Sequence, residues 1–94
     1  MTWEQFTASL ADDRLPGSLS GCLQAMWYDA KGDWHKSHEV AQNIEDRNGS
    51  WVYAYLHRKE GDAGNATYWY RRAGKPVPSC SLKQEQEEIV RALL

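Results

Sequence analysis

Apolar residues return along this chain at intervals of three and four, the period of an α-helix buried on one side, and glycines and prolines divide the periodic runs. Thr2-Trp3-Glu4-Gln5 has the form of a capping box, and Trp3, Phe6 and Leu10 make the stripe of a short first helix. Asp12 to Leu19, with Pro16, Gly17 and Ser18, reads as a connection. Ser20 can cap a second helix that turns Leu23, Met26, Trp27 and, at its margin, Cys22 inward and ends near Lys31-Gly32. Asp33 caps a third, from Trp34 to about Ile44, with Trp34, Ser37, His38, Ala41 and Ile44 at helical spacing. Glu45 to Asn48, followed by Gly49, reads as a polar loop.

The rest of the chain is organised around residues 49–78. Trp51 to Glu60 contains neither glycine nor proline and is followed by Gly61, which suits the left-handed closing position of a helix. Asp62 then caps a fifth helix in which Ala63, Ala66, Tyr70 and Ala73 recur, until Gly74 and Pro76 end it. A Gly-Asp turn this short makes the two helices antiparallel neighbours. The earlier pair repeats the arrangement: Ala25, Gly32 and Ser37 precede Ala54, Gly61 and Ala66 by 29 positions, and both turns read Gly-Asp. After an extended Lys75–Cys80 segment, Ser81-Leu82-Lys83-Gln84 forms another capping-box pattern. Leu82, Ile89, Val90, Leu93 and Leu94 then give the last helix an apolar edge opposite Glu85, Glu87 and Glu88.

The spacing of Ala54, Gly61, Ala66, Tyr70, Ala73 and Pro78 resembles the tetratricopeptide repeat, and ATYWYRRAG is similar to the second helix of its Sel-type branch, A-x-x-W-Y-x-x-A. The wider pattern GSWVYAYLHRKEGD…NATYWYRRAG resembles small bacterial proteins with that signature, from which this chain departs at Gly21 and Tyr53. The resemblance implies an all-α protein of five to six helices. It would form one domain over 1–94, with tetratricopeptide-like antiparallel hairpins at about 21–44 and 50–74 and a capping helix at about 82–94. The resemblance brings no activity with it. Repeat hairpins of this kind bind proteins or peptides on an inner face, where Gln24, Tyr28, Tyr53 and His57 would lie.

Composition adjusts this picture modestly. Aromatics make up 12% of the 94 residues with only one Phe among them, so the core must find partners for the polar atoms of Trp and Tyr. The net charge of −2 gives no general reason to expect nucleic acid or an anionic membrane. Locally, His57 to Lys75 carries five basic residues against Glu60 and Asp62, while residues 1–56 carry four against eight. No apolar run is long enough to span a bilayer, no secretory h-region follows Met1, and Cys22 and Cys80 lack metal-site spacing. These features suggest a cytoplasmic protein with reduced thiols, although a Cys22–Cys80 bridge is an alternative.

Three constellations could carry chemistry. His35, His38 and Glu39, with His57 elsewhere, suit a small enzyme or metal-binding protein centred on His38 and His57. The pair is spaced i, i+3, however, unlike the HExxH helix, and no nucleophile or phosphate-loop motif accompanies it. No metal or cofactor is therefore expected. Tyr68, Arg71 and Arg72 interleave a ring with guanidinium groups, as single-strand nucleic-acid binders do, but the neighbouring Trp69 and Tyr70 match core positions, so nucleic acid is disfavoured as a partner. The leading expectation is a protein-interaction module whose binding residues are Tyr28, Tyr53, His57, Arg58, Arg71 and Arg72, engaging a protein, a peptide or a second copy of itself.

Overall fold

Six helices and no strands make up the computed structural model, which describes residues 1–94. They are α1 (Trp3–Ser9), α2 (Gly21–Ala30), α3 (Trp34–Ala41), α4 (Arg47–Lys59), α5 (Ala63–Ala73) and α6 (Leu82–Leu93). Each begins at a polar cap: Thr2, Ser20, Asp33, Asp46, Asp62 and Ser81 each accept a bond from the backbone N–H three residues on. At Thr2 both arms of the capping box form, whereas at Ser81 only the serine hydroxyl takes part, accepting from the Gln84 N–H.

The two hairpins, α2–α3 and α4–α5, turn in the same way. Gly32 and Gly61 sit at φ +85° and +88°, and the following aspartates have φ/ψ of −98°/75° and −93°/78°. In the first turn the Asp33 N–H donates to the Tyr28 carbonyl at 2.9 Å, and in the second the Asp62 N–H donates to that of His57 at 2.9 Å. These six-to-one bonds across a left-handed glycine close both helices alike, so the 29-residue offset holds in three dimensions.

Two boundaries differ from the sequence reading. Helix α3 ends at Ala41, and α4 starts at Arg47, inside the expected loop. Asp46 is the reason for the second: its carboxylate accepts from the Gly49 N–H at 2.7 Å and starts the helix before the tryptophan. Gly49 is then a helical residue pressed onto the preceding strand of chain. A Cβ there would lie 2.3 Å from the Ile44 carbonyl oxygen, so the position excludes every other residue.

The core joins Phe6 of α1, Leu23, Met26 and Trp27 of α2, Val52, Tyr55 and Leu56 of α4, Tyr70 of α5, and Ile89 and Val90 of α6. Alanines 25, 54, 66 and 73 are buried with them and let the backbones approach. Helix α6 lies against α2 and α4 and reaches α1, a cover shared by both hairpins. The radius of gyration, 12.3 Å, is that of a folded chain of this length.

Two carboxylates inside the molecule fasten α6. Glu85, expected on an acidic outer face, is 1% exposed. It accepts from the Tyr70 hydroxyl at 2.7 and 2.8 Å, Trp51 Nε1 at 3.4 Å and an Arg58 guanidinium nitrogen at 2.8 Å. Asp29 of α2, 2% exposed, accepts from the Tyr55 hydroxyl at 2.7 Å, Lys59 Nζ at 2.7 Å and Gln86 Nε2 at 2.9 Å. Burial first, and the adjacent carboxylate second, push both phenols above their ordinary pKa, so each remains a neutral donor. No buried side-chain nitrogen or oxygen is left without a partner. Two acids thus serve Trp51, Tyr55 and Tyr70, while the buried Trp27 donates its Nε1–H to the Ser9 hydroxyl at 3.1 Å. Cys22 and Cys80 are both free, and no helix is long and apolar enough to cross a membrane.

Candidate functional site

Where α3, α4 and α5 meet, aromatic and imidazole rings form a continuous series. Trp34 and His38 are one turn apart on α3, and their ring centres are 4.8 Å apart. His38 contacts Tyr53 of α4 at 4.8 Å, Tyr53 contacts His57 one turn later at 4.6 Å, and Tyr53 meets Trp69 of α5 edge-on at 4.9 Å. The series continues to Tyr68 at 5.1 Å, and the Arg72 guanidinium lies 5.2 Å from the Trp69 ring centre and 5.9 Å from that of Tyr68. Trp34 Nε1 anchors one end by donating to the Leu56 carbonyl at 3.4 Å.

An open groove of about 420 Å³ runs beside this series, between the end of α3 with its following loop and the face of α5. Tyr53 and Trp69 give it aromatic walls, Gly49 and Ser50 a small-residue wall, and Gln42, Glu45 and Arg72 its polar groups. Asp46 begins α4 early enough to place Gly49 and Ser50 in this wall, and the bare Gly49 lets Ile44 pack directly onto the helix beside them.

At the far end of α4 the rings give way to charge. His57 is buried, and its Nδ1 lies 2.6 Å from Glu60 Oε1. The ligand-forming atoms of His57, Glu60 and Asp62 all lie within 4.8 Å of one another. Asp62 holds its cap with the Asn65 N–H at 3.3 Å and Asn65 Nδ2 at 2.6 Å, and these bonds lower its carboxyl pKa. The His38 pKa is lowered chiefly by burial and next by His57, with Glu60 opposing both. Burial, aided by Glu60, raises that of Tyr53.

The candidate residues fall into three places. Tyr53 and His57 are together in the ring series, and Arg72 caps its outer end. Arg71 is exposed on α5 beside it. Tyr28 stands apart, with its ring edge-on to Trp27 at 5.5 Å and 5.9 Å from Lys36 Nζ. Arg58 faces the opposite side of α4, where it binds Glu85 and donates to the Cys80 carbonyl. His38 and His57 come within 5.8 Å, centre to centre, and Glu60 joins them, whereas Glu39 is exposed. Sequence reasoning did not gather Trp34 and Trp69 into the site. Their positions at helical spacing from His38 and Arg72 were legible, but the meeting of α3 and α5 side chains on Tyr53 of α4 was not.

The fold and the site define an all-helical protein with an aromatic groove. No family model matches the chain, and no match was found among curated proteins or solved structures.

Proposed function

We propose that the protein is a protein-interaction module of tetratricopeptide-like type, and that the groove beside Tyr53 and Trp69 takes up an extended peptide segment bearing a carboxylate. The observation that carries this reading is the juxtaposition of aromatic walls with Arg72. That guanidinium lies close to two rings, which orient it and leave N–H donors for a ligand, and the exposed Arg71 adds positive charge on the same helix. Interfaces of this kind draw affinity from buried aromatic anchors and specificity from the charged rim. Two free thiols fit a reducing compartment, so we place the module in the cytoplasm.

The test is a binding screen of the purified protein against immobilised peptides of varied charge, repeated with Arg72→Glu and, as a control on the distant α6, Arg91→Glu. Retention of acidic peptides, weakened at least about tenfold by Arg72→Glu alone, is the expected result. No retention, or equal loss in both variants, overturns it. Sedimentation across a concentration range checks the alternative occupant: a dimer abolished by Arg72→Glu would give the groove to a second copy. Salt-dependent oligonucleotide binding lost with Tyr68, Arg71 and Arg72 would give this face to nucleic acid.

A further inference from the structure

The turn between α4 and α5 holds a constellation that peptide binding does not use. Gly61, in the left-handed region, reverses the chain so that Asp62 comes back against the last turn of α4, its N–H bonded to the His57 carbonyl. Asp62 thereby approaches a side chain five residues earlier. His57 directs Nδ1 at Glu60 Oε1 from a buried position, and the ligand atoms of all three residues cluster within 4.8 Å. The carbonyl end of α4 adds the negative pole of its dipole to two carboxylates at the same place.

The first hairpin supplies an internal comparison. Its turn has the same backbone, and 29 positions earlier the corresponding residues are Tyr28, Lys31 and Asp33. There the aspartate is a cap only, and Lys31 donates to the Leu10 and Asp12 carbonyls, tying down the end of α1. The frame is therefore common to both hairpins, but only the second carries an imidazole and a second carboxylate on it. Capping accounts for the aspartate alone.

We infer that His57, Glu60 and Asp62 form a binding site for a divalent first-row transition cation such as zinc or cobalt, with water completing the coordination. One nitrogen and two carboxylate oxygens suit such an ion, and three protein ligands leave an open position. Tetrahedral bonds of about 2.0–2.2 Å place ligand atoms about 3.3 Å apart. The His57–Glu60 pair at 2.6 Å must open slightly and the widest pair must close. Glu60, a third exposed, and Asp62, held only through Asn65, are free to make that adjustment. The imidazole is the fixed member, gripped between the rings of Tyr53 and His38. On binding, the neutral imidazole gives its Nδ1 lone pair to the cation and carries its one proton on Nε2, while the Glu60 carboxylate turns from Nδ1 to the metal.

The site is independent of the peptide groove, and its test needs no partner. Cobalt(II) is titrated into the purified, chelator-treated protein and followed by its visible ligand-field absorption, with zinc as competitor. One cobalt per chain, displaced by zinc, is the expected result. Glu60→Gln and Asp62→Asn should each weaken binding at least about tenfold, while Asp33→Asn, the equivalent position in the first hairpin, should leave it unchanged. Asparagine caps a helix about as well as aspartate, and Glu60 is at the surface, so these variants keep the fold, as an unchanged circular dichroism spectrum and melting temperature without metal will verify. Absence of the absorption band with cobalt in excess overturns the assignment. So does an affinity that survives both substitutions, or one that falls equally in Asp33→Asn.

Discussion

At the scale of single residues, His38 is the group whose charge the fold controls most openly. It is wedged between Trp34 and Tyr53, with His57 beside it, and burial lowers its pKa below the usual value near 6.5. Between those two values the unfolded chain holds the extra proton and the folded one does not, so stability rises with pH across that window. His38 therefore imposes no penalty above about pH 6.5 and makes the protein progressively less stable as pH falls from there towards its folded pKa. Glu60 pulls the other way, which gives a direct check: in an NMR titration of the imidazole C–H signals, Glu60→Gln should move the His38 midpoint lower still. An upward movement would mean that the carboxylate is not felt at His38.

Among the elements, the paired turns carry most of what could be read in advance. Gly32 and Gly61 occupy left-handed positions, and a Cβ at either would meet nothing within 4 Å, so the penalty for alanine is conformational alone. Gly32→Ala and Gly61→Ala should each cost about 1–2 kcal/mol in urea unfolding, and by similar amounts. A much larger loss at one would show that the turns are not equivalent. The caps, the turn glycines and the alanine spacing were legible because each acts within four or five residues of itself. The start of α4 was not, because a glycine that normally signals a loop is here required by contact with Ile44. The placement of Glu85 was hidden for a related reason. Helix periodicity assigned a glutamate to the wet face, and only tertiary packing brings Tyr70, Trp51 and Arg58 to it. The ring series was half legible: its members stood out by type, whereas the convergence of three helices on Tyr53 depends on distances no local pattern encodes.

For the whole molecule, the two interior carboxylates matter more than their number suggests. Glu85 links α6 to α4 and α5, and Asp29 links α2 to α4 and, through Gln86, to α6. Removing an acid from such a set leaves its buried donors unpaired. Glu85→Ala should therefore cost about 3 kcal/mol, a large share of the stability of a domain this size, whereas Lys83→Ala on the exposed side of α6 should change it by less than about 0.5 kcal/mol. Chemical denaturation of the two variants compares them directly, and equal losses would mean that the network contributes nothing beyond helix propensity.

The position of Glu85 in the chain also bears on the order of assembly. Synthesis proceeds from the N-terminus, so Trp51, Arg58 and Tyr70 all leave the ribosome before the acid that satisfies them. Until it arrives, the donors of the nascent hairpins are left to water in place of the carboxylate they meet in the folded protein. The contacts that bury these donors therefore wait for the segment made after both hairpins, and a chain that stops short of α6 lacks them.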